Sequence, residues 1–249
     1  MTELSPKERE AREMVCLPLD GLHTLDEVRA LVEELSAYVG MFKVGKESFT
    51  RLGPAVVALV HEHGAGVFLD LKYHDIPNTV KGAARAATEM GVAMFNVHAS
   101  GGAAMMAAAR QGVDEAAPAE GDAPKVIAVT VLTSIDQDIL NIECGVPGLV
   151  EDQVLHLAKL TEDARLDGIV CSAADLHALS GKLGPDFLFV TPGIKGTTTP
   201  AGEDQKRVLS PGRAVAAGSS MLVVGRAITG AADRPLAAME VLRDIAEVL

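Results

Sequence analysis

An α/β protein built as a single (β/α)8 TIM barrel is what this sequence predicts, on three observations. Eight apolar runs alternate with helical segments along its 249 residues. The runs are continuous rather than alternating, which means strands buried on both faces, as in a parallel sheet. No Gly-x-Gly-x-x-Gly follows the first run, the fingerprint that a doubly wound open sheet would carry. Eight βα units in this length fit a barrel. The expected layout is a polar N-terminal tail over residues 1–13 and one barrel domain over 14–249.

Residues 1–13 read as a polar tail or a short surface helix. The first strand, Met14 to Leu19, ends at Asp20. Thr24 and Glu27 form a capping box, and Leu25, Val28, Leu31, Val32, Leu35 and Val39 recur behind it at helical spacing. The second strand, Gly40 to Val44, carries Lys43, and a helix from about 48 to 63 is stopped by Gly64. The third strand, Val67 to Leu71, leads to a helix over Ile76–Met90 with Pro77 in its first turn, where a missing N–H costs nothing. The fourth, Val92 to Val97, ends at His98, and Gly101-Gly102 opens an Ala- and Met-rich helix. After a surface loop over 117–124, the fifth strand runs from Val126 to Leu132 and ends at Thr133-Ser134. A turn at Gly145–Gly148 precedes a helix near 150–165, and Gly168 to Cys171 is the sixth strand. A short helix from Asp175 to Leu183 and the seventh strand, Phe187 to Val190, follow. Thr191 to Lys206 has no apolar face and reads as a loop, composed as a lid would be. Val208–Ala217 is helical, Met221–Val224 is the eighth strand, and Gly225-Arg226 follows at once. Asp233 caps the last helix, with Pro235 in its first turn and Leu236, Met239, Leu242 and Ile245 on one face.

A formal net charge of −12 argues against nucleic acid as a partner, because phosphate backbones are held by clustered Lys and Arg. Cys16, Cys144 and Cys171 are odd in number and scattered, giving neither a disulfide framework nor a zinc spacing. No apolar signal segment and no run of membrane-spanning length is present. A cytoplasmic protein is expected.

The chemistry gathers at strand ends, where Asp20, Lys43, Asp70, Lys72, His98, Thr133, Ser172, Thr191 and Arg226 stand. In a barrel these ends share the face that carries active sites. Asp70 and Lys72 are two residues apart and so face the same side of their strand. They either pair at a sheet edge or line a site. Buried charge costs several kcal/mol unless compensated, and mutually neutralising lysines and aspartates at strand ends favour the site. Gly225-Arg226, directly after the eighth strand, suits a phosphate, and Gln205 could donate to the same anion. His98 reads as a hydrogen-bonded structural residue more readily than as an acid or base, Cys171 as core, and Met105 and Met106 as helix packing.

Over Phe68–Thr79 the chain resembles the orotidine 5′-phosphate decarboxylase family in its bacterial form. Leu19-Asp20, Phe42-Lys43-Val44-Gly45, Asn96-Val97-His98-Ala99, Val131-Leu132-Thr133-Ser134, Val190 to Ile194, Asp204-Gln205 and Val224-Gly225-Arg226 extend the match. The resemblance implies a charge array of Lys43, Asp70, Lys72 and Asp75, with Lys72 protonating C6 of the nucleotide after CO2 has left. It implies a homodimer with shared sites, Asp75, Ile76 and Thr79 entering the partner subunit's site. Asp20, Lys43 and Thr79 would bind ribose, Asp70 would lie near the substrate carboxylate, and Thr133 would border the pyrimidine. Gln205, Gly225 and Arg226 would hold the 5′-phosphate. Lys195, where many bacterial members have Arg, keeps the charge and loses the bidentate fork. Neither a metal nor an organic cofactor is implied. Two rivals stand beside it. Metal-dependent sugar-phosphate decarboxylases and aldolases of the same barrel type tend to offer an acid in place of Lys43. A silent nucleotide- or protein-binding barrel would lose charges from the array.

Overall fold

Parallel strands β1 (Val15–Pro18), β2 (Met41–Gly45), β3 (Gly66–Tyr73), β4 (Met94–His98), β5 (Lys125–Val129), β6 (Gly168–Val170), β7 (Leu188–Pro192) and β8 (Met221–Val223) close in sequence order into a barrel. They belong to a computed structural model that describes residues 4–118, 121–194 and 209–249. Each strand overlaps an apolar run expected from the sequence, and Leu17, Phe42, Leu69, Phe95, Ile127 and Ile169 are buried in the core. The helices between them are α1 (Pro6–Glu13), α2 (Leu25–Leu35), α3 (Lys46–Leu52), α4 (Ala55–Glu62), α5 (Pro77–Glu89), α6 (Ala103–Ala116), α7 (Val150–Asp163), α8 (Leu176–Leu179), α9 (Pro211–Ala216), α10 (Arg226–Thr229) and α11 (Arg234–Ala246). Contacts group the chain into two compact units, one formed by the residues up to Asp70 with those from Thr191 onward, the other by Leu71–Val190.

In the first unit the register sets Pro18 beside Lys43 and Gly45 beside Asp70, which brings the polar ends of β1, β2 and β3 level. Residues 6–13 are helical rather than a loose tail. Ser5 and Glu8 cap α1 reciprocally, Ala11 is fully buried, and Glu8 reaches Arg243 of α11 at 3.6 Å. The Thr24–Glu27 capping box forms as expected. The helix expected over 48–63 is two, α3 and α4. Gly53, at φ 64°, takes a conformation that ends α3, and Pro54 then caps α4. Asp233 caps α11 through the Leu236 N–H at 2.9 Å. Met239, Leu242 and Ile245 are buried on that helix as expected, but Leu236 is half exposed, because it lies in the first turn, ahead of the packed stretch.

In the second unit α5 and α6 are close neighbours. Gly112 of α6 permits this, since a Cβ there would lie 3.0 Å from the Ala84 Cβ and closer still to the Lys81 carbonyl. Val154, Ala158, Ile169, Cys171, Leu176, Leu179 and Phe187 form one apolar cluster. The sequence did not suggest the π-helical turn at Ile139–Glu143. It is braced by side chains, Gln137 and Asn141 donating to the Gly148 carbonyl at 2.7 and 3.0 Å.

All three cysteines are free thiols, with Cys144 exposed and Cys16 and Cys171 buried. Burial pushes the Cys16 thiol far up, Lys43 opposing and Asp70 and Asp20 reinforcing the shift. Since the thiolate is the reactive form, a maleimide or disulfide reagent should modify one thiol per native chain and all three after denaturation. Labelling of Cys16 in the folded protein, read by peptide mass mapping, would contradict this burial.

Candidate active site

Lys43 is the centre of the first unit's charge cluster. Its Nζ lies 3.1 Å from Asp20 Oδ1, 3.3 Å from Asp20 Oδ2 and 3.2 Å from Asp70 Oδ2. Lys43 and Asp70 are each 8% exposed, whereas the Asp20 side chain is 56% exposed. Burial works against the ammonium, but the Asp70 and Asp20 carboxylates outweigh it and hold its pKa above the ordinary lysine value. The cluster is assembled from strand ends. Leu19 donates its N–H to the Lys43 carbonyl at 2.9 Å, and buried Ser48 of α3 donates its hydroxyl to the Leu19 carbonyl at 2.6 Å. Asp20 is thus held where its carboxylate meets Lys43. Gly45 supplies the room, for a Cβ there would lie 2.8 Å from Asp20 Oδ1 and 3.0 Å from Lys43 Nζ.

In the second unit Lys72 stands near the end of β3 with left-handed backbone, φ 51°. The two-residue periodicity that placed Asp70 and Lys72 on one face presumes extended backbone at each step, and Lys72 departs from it. Its N–H donates to Asn96 Oδ1 at 2.8 Å. Asp75 Oδ1 accepts the Ile76 N–H at 2.6 Å, and α5 begins at Pro77, as the sequence indicated. Asp75, Ile76 and Thr79 are exposed, Ile76 at 67%. His74, Asp75, Ile76, Pro77 and Gly101 line an open surface groove. The His98 ring lies against His74, centroids 5.5 Å apart. Thr133 is exposed, four residues beyond β5, which ends at Val129 rather than at Leu132.

Other strand-end polar residues serve the fold. Ser172 donates its N–H at 2.8 Å and its hydroxyl at 2.7 Å to Asp175, opening α8. Thr191 is fully buried and accepts the Ser219 hydroxyl at 2.8 Å. Gly225 packs over Pro18, where a Cβ would lie 3.1 Å from the proline ring, and Arg226 is exposed at the start of α10. Lys195 and Gln205 lie outside the described residues. Sequence reasoning had assigned no role to Ser48, Gly45 or Asn96. The signal for Asn96 was a polar side chain in the middle of an apolar strand, and that for Gly45 its place in the matching stretch Phe42–Gly45; for Ser48 there was none.

The model of the orotidine 5′-phosphate decarboxylase / HUMPS family matches residues 13–241. Orotidine 5′-phosphate decarboxylase of Moorella thermoacetica is 48% identical over 236 residues, 94% of this chain and 93% of that protein. The Syntrophus aciditrophicus enzyme of the same name is 47% identical over 242 residues, covering 97% and 96%. The crystal structure of orotidine 5′-phosphate decarboxylase from Lactobacillus acidophilus superimposes with a TM-score of 0.83 at 37% identity, over 94% of this chain and 99% of that one.

The charge on Lys43 has a measurable consequence. Its folded pKa is raised, so the stability it contributes is complete below the unfolded value of 10.5 and is lost as pH rises through the folded one. Lys43→Met removes the ammonium from between Asp20 and buried Asp70 and should cost about 3 kcal/mol at neutral pH. Denaturant titrations repeated at rising pH should show that gap narrowing above the ordinary lysine range. A gap that stays constant would mean that packing, not charge, is what the substitution removes.

Proposed function

The chain belongs to the orotidine 5′-phosphate decarboxylase / HUMPS family, and on that premise we propose that it converts orotidine 5′-phosphate to UMP and CO2, the last step of de novo pyrimidine synthesis. The observation that carries this reading is the Asp20–Lys43–Asp70 cluster, with Lys43 and Asp70 buried. A metal-using barrel would need a divalent cation among such carboxylates. Here the Lys43 ammonium already stands between Asp20 and Asp70, within hydrogen-bonding distance of both. That arrangement supports a reaction that needs no metal at these carboxylates.

In the proposed reaction the bond from C6 to the carboxyl carbon breaks, and its electron pair stays on C6 while CO2 leaves. The Lys72 ammonium then gives C6 its proton, and water restores the proton to Lys72. An ammonium near C6 stabilises charge that develops only in the transition state. Asp70 would stand near the substrate carboxylate and disfavour the ground state, with Lys43 and Asp75 keeping the array in balance. Asp20, Lys43 and Thr79 would bind the ribose, Thr133 would border the base, Ile76 would contact the substrate, and Gly225, Arg226, Gln205 and Lys195 would receive the 5′-phosphate. Binding energy from that phosphate, remote from C6, can serve orientation.

The active unit in this reading is a homodimer in which Asp75, Ile76 and Thr79 serve the partner's site. The exposure of Ile76 and its place in an open groove support it, since a large apolar side chain at a groove suits a covered surface. One catalytic barrel domain over residues 14–249 and a cytoplasmic location complete the proposal. Among the described residues no helix is long and apolar enough to cross a membrane.

Loss of orotidylate absorbance is the direct assay. Wild type should turn over in EDTA, and Lys72→Ala should lose at least about a thousandfold in kcat; a folded wild type that leaves orotidylate unchanged would sink the reading. Mixing inactive Asp75→Asn and Lys72→Ala chains should restore activity in hybrid dimers, each holding one intact site. No recovery after demonstrated subunit exchange would rule out sharing.

A further inference from the structure

Among the described residues only Lys72 and Arg165 combine a side chain with left-handed backbone, at φ 51° and 59°. Arg165 follows the end of α7, where such a turn is ordinary. Lys72 is different, because it adopts that conformation within a strand. Left-handed backbone is unfavourable for a residue with a Cβ and persists where the surroundings fix it. The fixing contacts come from two consecutive residues of β4. Asn96 Oδ1 accepts the Lys72 N–H at 2.8 Å, and the Phe95 ring meets the Tyr73 ring with centroids 5.9 Å apart. Asn96 is 1% exposed, and its neighbours Phe95 and Val97 are fully buried. An amide oxygen anchored so deeply holds the Lys72 amide at a fixed place, and the left-handed turn then determines how the side chain leaves the strand.

We propose that Asn96 is a positioning residue for the reaction: by accepting the Lys72 N–H it maintains the left-handed turn that directs the Lys72 ammonium toward C6. This inference rests on the reading of Lys72 as the proton donor. It differs from a plain structural role, in which Asn96 only satisfies a buried N–H and its loss weakens the fold without touching the chemistry.

Three substitutions separate the two roles. Asn96→Leu keeps the volume and removes the acceptor, Asn96→Asp keeps an oxygen at the same reach, and Asn96→Ser offers a shorter hydroxyl. A misdirected catalytic group costs on the order of a hundredfold, so Asn96→Leu should lower kcat by about that factor while KM stays within about threefold. Asn96→Asp should regain at least about tenfold of that loss, whereas the shorter Asn96→Ser hydroxyl falls short of the Lys72 N–H and should stay near Asn96→Leu. Melting temperatures are measured on all three, with wild-type turnover as the reference. A lowered melting temperature with wild-type kcat per folded Asn96→Leu chain would overturn the proposal. So would a folded Asn96→Asp as slow as Asn96→Leu. If Asn96→Leu does not fold, Asn96→Ala takes its place against Asn96→Asp. Failure of wild type itself to decarboxylate orotidylate would strike the underlying function, which no pattern among the variants can imitate.

Discussion

Lys43 keeps its positive charge where water scarcely reaches, and the first unit's strand ends are arranged around that fact. A buried ammonium is stable only with carboxylates at hydrogen-bonding distance, so Asp20 and Asp70 are drawn to it from the neighbouring strands. The register that sets Gly45 beside Asp70, the Ser48 hydroxyl on the Leu19 carbonyl and the missing Cβ of Gly45 all serve that meeting. The cluster is also unevenly solvated. Asp70 shares the burial of Lys43, whereas the Asp20 side chain lies largely open to solvent.

Lys72 is governed by a different constraint. Its backbone departs from the extended form within a strand, and the departure is held by an amide oxygen from β4 rather than by its own strand. Conformational strain that the surroundings keep in place is frequent where a side chain must arrive from a defined direction. Charge pairing thus places Lys43, and at Lys72 the backbone itself is held in an unusual turn.

Much of this was legible in the residues. The continuous apolar runs gave all eight strands, because burial on both faces leaves no alternation to confuse the reading. Capping residues such as Thr24 and Asp233 behaved as their side-chain chemistry requires. The break at Gly53-Pro54 was overlooked, since the apolar spacing continues across it while the backbone cannot. The π-helical turn at Ile139–Glu143 escaped because it depends on Gln137 and Asn141 reaching a distant carbonyl, which local pattern does not encode. In the site, the identity of Asp20, Lys43 and Asp70 could be read from strand-end position. Their distances could not, nor could the roles of Ser48 and Gly45, which are defined by what lies beside them in space. The left-handed turn at Lys72 was hidden for the same reason: nothing in a lysine announces it.

The crowding around Gly45 bears on how such a barrel can change its chemistry over evolutionary time. A Lys43→Glu exchange would replace the cation by a third carboxylate beside Asp20 and Asp70. Three clustered carboxylates repel one another unless a divalent ion joins them, and oxygen-rich clusters of this kind are what magnesium and calcium select. The ammonium supplies the positive charge that these carboxylates would otherwise have to draw from an ion. After such an exchange Gly45 would still have to lack a side chain for as long as the carboxylate of Asp20 keeps its place against it.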